Sequence, residues 1–244
     1  MVQTWMITAP RSGTSKREIY EIFNQTDAKK WIIAKETGKG GYEHWQIRVT
    51  ASRPDFFDYV GDRCPRWHIE KAQTDEWEYE RKEGRYWTSD DTTEIRICRF
   101  GNLRPNQIKV LDRLKQQSVR EIDVYLDSHG SRGKTFLSIH LWERGEALVV
   151  PRSATTPEKL SAFVCSAYKG EPIIIIDIPR ASKPSTALYE CMEEIKDGLV
   201  FDHRYSGRTR NIRGVKLLVF TNHKLDLKQL SDDRWVLHGM EPLS

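Results

Sequence analysis

The sequence predicts two architectures in series, an antiparallel α+β half followed by a parallel α/β half. Three observations predict it. The first hundred residues alternate short segments in the order strand, helix, strand, strand, helix, strand. The later part carries short, wholly apolar strands separated by helical segments, the pattern of strands covered on both faces of a parallel sheet. Between them, near residues 99–106, RFGNLRPNQ sets Gly101 and Pro105 among polar residues, a boundary signal.

Each element of the first half has its own local reason. Thr4–Thr8 is short and apolar-rich, as a strand would be. Ser15 and Glu18 are spaced as a capping box, and Ile19, Ile22 and Phe23 follow at helical spacing. Trp31–Ala34 and Trp45–Val49 read as strands joined through the glycine-rich TGKGGYE turn. Pro54 can open a second helix over Asp55–Val60. A strand around Trp67–Ala72 then precedes a polar segment containing Tyr79. This order is that of a ferredoxin-like sheet. After the boundary, an amphipathic helix is expected with Ile108, Leu111 and Leu114 on one side. Asp123–Leu126, Ala147–Val150, Ile173–Ile176 and Leu217–Phe220 follow as strands.

Composition bounds the class. A chain of 244 residues makes one large domain or two small ones. With 38% hydrophobic and 30% charged residues it reads as globular rather than disordered. The longest aliphatic run, Ile173–Ile176, is far short of the ~20 residues that span a bilayer, so no membrane partner is expected. The N-terminal MVQTWMITAP has no basic region leading into an apolar core, so no secretion signal is expected. Cys64, Cys98, Cys165 and Cys191 are widely spaced, which argues against a zinc ribbon or disulfide scaffold and fits a reducing compartment. A net charge of +4 is too small to imply nucleic acid by itself, but Arg204, Arg208, Arg210 and Arg213 cluster in one stretch.

Two constellations carry chemistry. In YLDSHGSRGKTFL a strand meets a helix through Gly130, Gly133, Lys134 and Thr135. Glycines let backbone amides curl around phosphates, and the helix N-terminus adds partial positive charge. Lys134 would reach terminal phosphates and Thr135 would ligate magnesium. Ser128 stands where the usual pattern has its first glycine. Asp177 ends the apolar strand of IIIIDIPR, where a magnesium-organising carboxylate belongs, and it is a single acid there. Asn222 ends the strand of LLVFTNHKLD, where an amide can orient water or sense a phosphate. Asp and Asn are also common turn residues, so the order of the three strand-end groups carries the reading.

In the first half, His44 and Gln46 should share one face of a strand, because side chains repeat every two residues. Glu36, ending the preceding strand, can face them across the hairpin. Histidine with two oxygen donors suits Mg or Mn better than structural zinc. If EYERKEGRYW is helical, Tyr79 and Lys82 share a face. A tyrosine hydroxyl is a competent nucleophile for phosphodiesters beside a metal, and Lys82 can steady the developing charge. An amphipathic helix with an exposed tyrosine is the plainer alternative.

Together these residues resemble the replication initiators (Rep) of small circular single-stranded DNA viruses, of smacovirus and circovirus type. WMITAP stands at the family's first motif, HWQIRV matches its metal motif with glutamine for the second histidine, and YERKEGRYW matches its nicking-tyrosine motif. LRPNQ resembles the entry to its helicase domain, with Asn106 replacing tryptophan. GSRGKT, IIIIDIPR and FTN match the motifs of superfamily 3 ATPases, and LSDDRW resembles the C-terminal segment.

The resemblance implies an HUH-type endonuclease over 1–98, a linker and oligomerisation helix over 99–119, and a superfamily 3 ATPase over 120–244. It implies Glu36, His44 and Gln46 as metal ligands, Tyr79 as nucleophile and Lys82 as its partner. Gly130, Gly133, Lys134, Thr135, Asp177 and Asn222 become the site for ATP with Mg. The arginines at 204–213 fall where the family has a DNA-contacting hairpin. Implied partners are single-stranded DNA at an origin stem-loop, host replication machinery and further copies in a hexameric ring, in the nucleus of a eukaryotic host or otherwise the cytoplasm. Two other readings stay open: an origin-binding regulator with a relic ATPase, and a superfamily 3 ATPase acting on RNA.

Overall fold

The computed structural model describes residues 2–181, 184–204 and 207–239. The chain forms two compact units, and the division falls between Ile97 and Cys98, inside one helix.

The first unit is an antiparallel α+β sheet. Its elements are β1 (Gln3–Pro10), α1 (Lys16–Gln25), β2 (Ala28–Thr37), β3 (Glu43–Ala51), α2 (Phe56–Arg63), β4 (His68–Lys71), α3 (Glu78–Arg81) and β5 (Tyr86–Thr88), followed by α4 (Thr93–Phe100). Sheet order is β4-β1-β3-β2-β5. The first four strands and two helices thus give the expected ferredoxin-like order, and β5 adds an edge beside β2 that the sequence pattern did not signal. The Ser15 hydroxyl accepts the Glu18 amide at 3.1 Å and starts α1, whose Ile19, Ile22 and Phe23 are buried. Trp5, Ile7, Ile33, Ile47, Val49, Phe56 and Val60 complete the core on that side. The opposite face near β2 and β3 is partly polar, because Glu36, Gln46 and Arg48 are buried there.

The second unit is a parallel α/β sheet. It comprises α5 (Pro105–Gln116), β6 (Ile122–Leu126), α6 (Lys134–Glu143), β7 (Ala147–Val150), α7 (Pro157–Ala167), β8 (Ile173–Asp177), α8 (Thr186–Asp197), β9 (Leu199–Asp202), β10 (Arg208–Asn211), β11 (Lys216–Thr221) and β12 (Trp235–Gly239). The main sheet runs β12-β6-β11-β8-β7, and β9 pairs with β10 as a separate antiparallel hairpin. Ile174, Ile175 and Ile176 are fully buried, as strands covered on both faces require. One face packs on α7 and α8 through Leu160, Val164, Leu188 and Met192; the other packs on α5 and α6 through Val110, Leu114, Leu137 and Leu141.

One expected face is corrected. The buried side of α5 is Gln107, Val110 and Leu114, while Ile108 is exposed. Gln107 takes the inward place because its amide is needed at the loop described below. All four cysteines are free thiols. Among the described residues, no helix is long and apolar enough to cross a membrane.

Candidate functional site

In the first unit, strand pairing assembles the polar cluster. Glu36 of β2 lies directly opposite His44 of β3, and Ala34 lies opposite Gln46, so Glu36, His44 and Gln46 project from one face. His44 Nε2 is 3.7 Å from Glu36 Oε2. The other imidazole nitrogen, Nδ1, donates to the Tyr42 carbonyl at 3.3 Å when protonated, which leaves Nε2 as the lone-pair nitrogen facing Glu36. Gln46 Oε1 accepts the Thr8 hydroxyl at 3.0 Å from the neighbouring β1.

Lys82 joins this cluster from the end of α3. Its ammonium is 2.7 Å from Glu36 Oε2 and 3.5 Å from the centroid of the Tyr79 ring. Burial would lower the Lys82 pKa, but hydrogen bonds with Glu36 and Tyr79 outweigh it and hold the lysine above its ordinary value, as a cation. Burial pushes the Glu36 carboxyl up, against the pull of Lys82 and His44. Tyr79 itself is 56% exposed.

The residues present fit a divalent cation. Glu36 is 3% exposed, and its Oε1 has no hydrogen-bond partner among the described residues, so it is a buried acceptor facing a histidine nitrogen. Among the described residues no three His, Cys, Asp or Glu side chains converge. The expected set contains two such residues, and its third donor is the Gln46 amide oxygen, a hard ligand of the kind Mg and Mn take.

The sequence pattern missed what holds α3 in place. Arg48, the next inward residue of β3 after Gln46, donates Nε to Glu80 Oε1 at 3.0 Å, and Glu80 is fully buried. Alternation at 44, 46 and 48 was the available signal for Arg48; nothing local marked Glu80 as its partner.

In the second unit the polar groups sit together at the C-terminal edge of the parallel sheet, where such sheets bind ligands. β11 lies between β6 and β8. Thr221 is level with Leu126 and Phe220 with Asp177, so Asn222 lies between the glycine loop and the acid. The Asn222 amide donates to the Asp127 carbonyl at 2.5 Å. Gly130 and Gly133 have φ of +87° and +82°, which glycine adopts freely, and Ser131 between them is also left-handed at +62°. Thr135 is exposed in the first turn of α6.

Three features of this loop went unread in sequence. Asp127 is 2% exposed and pairs with Lys134, and its Oδ1 accepts the Gly130 amide at 2.7 Å. Burial would raise its carboxyl, but Lys134, the Gly130 amide and Arg132 hold it below the usual range. Asp177 is paired with Arg152 at 2.8 Å. Gln107 donates to the Gly133 carbonyl at 2.9 Å and Asn106 to the Arg132 carbonyl at 3.3 Å, so LRPNQ acts here as a brace on the loop.

The four arginines are not brought to one free patch. Arg204 grips Asp202 and holds that carboxyl down at about 2. Arg210 lies 5.3 Å from the Tyr168 ring and bonds the Cys165 carbonyl, and Arg213 bonds the Asp197 carbonyl at 3.4 Å. Arg208, on the β10 strand of the hairpin, is exposed. Residues 205 and 206 of this stretch lie outside the described residues.

The fold and its polar groups thus define an antiparallel α+β unit followed by a parallel α/β unit bearing a phosphate-type loop. Comparison with known proteins agrees in class. The chain is 29% identical over 106 residues to a master replication protein of banana bunchy top virus, covering 43% of this chain and 35% of that protein. It is 29% identical over 138 residues to the Para-Rep C10 protein of the milk vetch dwarf C10 alphasatellite, covering 54% of this chain and 47% of that protein. The likeness to replication proteins of circular single-stranded DNA viruses and satellites is therefore distant and partial, and each match spans less than half of the relative's length. No family model matches the chain.

Proposed function

We propose that the chain initiates rolling-circle replication by nicking and rejoining origin single-stranded DNA through Tyr79. The observation that carries this reading is the convergence of Tyr79, Lys82, Glu36 and His44 on one face of the first sheet. Residues 1–98 would form the HUH-type endonuclease domain, 99–119 the linker and oligomerisation helix, and 120–244 the superfamily 3 ATPase.

Glu36, His44 and Gln46 would hold Mg or Mn, which when bound would polarise the scissile phosphate. The Tyr79 hydroxyl gives its proton to solvent as its oxygen attacks phosphorus, and the bond to the 3′ oxygen breaks. The phosphate stays on tyrosine as a 5′-phosphotyrosine, and the released 3′ oxygen takes a proton to become the priming hydroxyl. Lys82, kept cationic by Glu36 and Tyr79, stabilises negative charge during the transfer rather than acting as a base. Keeping the phosphate bond on the protein conserves it for rejoining.

In the second unit, Gly130, Gly133, Lys134 and Thr135 would cradle the phosphates of ATP with Mg, with Asp177 and Asn222 facing the terminal phosphate. That unit would unwind duplex as a hexameric ring, working with host replication machinery in the nucleus of a eukaryotic host. Arg208 on its hairpin is exposed and would reach DNA. Labelled single-stranded oligonucleotides from a stem-loop library, incubated with the protein and Mn, test the reading. A covalent adduct that disappears in excess chelator is expected; cleavage that persists in chelator overturns the metal-assisted scheme.

One observation favours a second reading, an origin-binding protein with a relic ATPase. Lys134 and Asp177 are already engaged by Asp127 and Arg152. ATP turnover by the purified protein decides between them.

A further inference from the structure

The sheet face opposite the tyrosine cluster carries an unusual concentration of cations on tryptophan. Lys35 and Trp45 are cross-strand partners, each one residue along from Glu36 and His44, so they project from the other face at the same end of the sheet. Lys35 Nζ lies 5.5 Å from the Trp45 ring centroid and 5.6 Å from that of Trp87. Lys16 Nζ lies 3.9 Å from the Trp87 centroid, and Arg11 is 6.0 Å from Trp45. Neither Lys16 nor Lys35 has an acidic partner within 4 Å among the described residues, and Arg11 pairs with Glu43 at 3.0 Å.

This arrangement works against the fold. Lys16 is the first residue of α1, where the helix end is partly positive and an acid is preferred. Burial, and after it the charges of Lys35 and Arg96, lowers its pKa. Groups held at such a cost without a counter-charge are what an anion site looks like. Lys35 lines a groove of about 550 Å³ together with Arg11, Ser12, Tyr42, Glu43 and Trp45, among others; Lys16 reaches its neighbourhood through Trp87, and the one acid of the lining, Glu43, is held by Arg11. Tyr42 links the two faces. It lines this groove, it is 51% exposed, and its ring stacks on His44 at 5.3 Å and 13°.

We propose that this groove, with Arg11, Lys16 and Lys35 as phosphate contacts and Tyr42 as a base-stacking platform, holds single-stranded DNA leading away from the Tyr79 site. The strand would cross the tip of the β2–β3 hairpin over Tyr42 and lay its backbone on the lysines. A π face with interleaved cations suits single strands, whose bases are free to stack. The proposal rests on the nicking reading for the direction of the strand, but not for the binding itself.

Binding of fluorescent dT20 to the full chain, in chelator and over a salt series, tests it. Lys16→Gln/Lys35→Gln should weaken binding about tenfold or more and lower the slope of log K on log salt by about 1.4, since each phosphate contact on a single strand contributes ~0.7. Lys16→Arg/Lys35→Arg should bind as the parent does, and Tyr42→Ala should weaken binding without changing the slope. Because the proposed function also gives the second unit a DNA contact, ultraviolet cross-linking of 4-thiothymidine dT20, mapped by mass spectrometry, gives the local readout. Cross-links are expected in peptides holding Tyr42, Trp45 or Trp87. Their absence, unchanged affinity and slope in the glutamine variant, or preference for a 20-base-pair duplex would overturn the proposal. Adduct formation by Tyr79 is scored separately: lysine-dependent dT20 binding with no adduct keeps the groove and removes the nicking reading.

Discussion

Arg48 and Glu80 form a buried ion pair, Nε to Oε1 at 3.0 Å, that ties the helix bearing Tyr79 to the strand bearing His44 and Gln46. Arg48 also donates Nη1 to the Thr74 carbonyl at 2.5 Å, so one guanidinium fixes both the approach to the helix and the helix itself. Glu80→Ala leaves a buried cation with only neutral partners, the carbonyl and hydroxyl of Thr74 and the sulfur of Met6. We expect a loss of about 3–5 kcal/mol in the first unit, read by chemical denaturation with tryptophan fluorescence. Adduct yield should fall by about a hundredfold, because reacting groups must be held close to attack geometry. An unchanged denaturation midpoint would show that the pair does not hold the helix.

Lys134→Ala should abolish ATP turnover and leave adduct formation on single-stranded oligonucleotide within about twofold of the parent, since lysine in such loops acts on nucleotide phosphates. Asp127 keeps the Gly130 amide as a partner, so the unit should remain folded, which circular dichroism checks. Loss of single-strand nicking by a folded Lys134→Ala would mean that the two units share one coupled site.

Removing the competitor is informative too. Asp127→Asn should strengthen nucleotide binding several-fold, because Lys134 no longer has a carboxylate to leave before it meets a phosphate. Titration with a fluorescent ATP analogue reads this. Weaker binding would show instead that Asp127 shapes the loop for phosphate.

Lys196 gives a pH signature for the second unit. It is 2% exposed, bonds Gln117 Oε1 at 2.6 Å and the Val215 carbonyl at 3.0 Å, and burial, followed by the charge of Lys216, lowers its pKa to about 8. Above that pH the folded chain holds neutral lysine while the unfolded chain still binds the proton. Stability therefore rises with pH from about 8 toward the ordinary lysine value, by up to about 3 kcal/mol. Lys196→Met should flatten that rise in denaturation midpoints measured from pH 7.5 to 10. A parallel rise in the variant would assign the effect to other groups.

Where the sequence was legible, one physical rule acted alone. Ser15 and Glu18 marked α1, the run Ile173–Ile176 marked a strand covered on both faces, and alternation put His44 and Gln46 together. Only the resemblance implied a hairpin at 204–213; the local pattern of β9–β10 was silent, because RTRN is polar and largely exposed and carries no apolar alternation. Lys82 meeting Glu36, Arg48 meeting Glu80 and Lys134 meeting Asp127 depend on tertiary geometry that no local pattern encodes. The inward turn of Gln107 displaced the face expected of α5 for the same reason.

The most direct measurement joins the protein covalently to DNA and asks which atom holds it. A labelled stem-loop oligonucleotide carrying the nick site is incubated with the full chain and Mn, then run on a denaturing gel, and the adduct is digested and mapped by mass spectrometry. The account predicts a phosphotyrosine on the peptide containing Tyr79 and no adduct with Tyr79→Phe, whose melting temperature should stay within a few degrees because an exposed hydroxyl contributes little packing. An adduct of full yield in the folded Tyr79→Phe protein, or one mapped to Tyr20, Tyr42, Tyr59 or Tyr86, would contradict it.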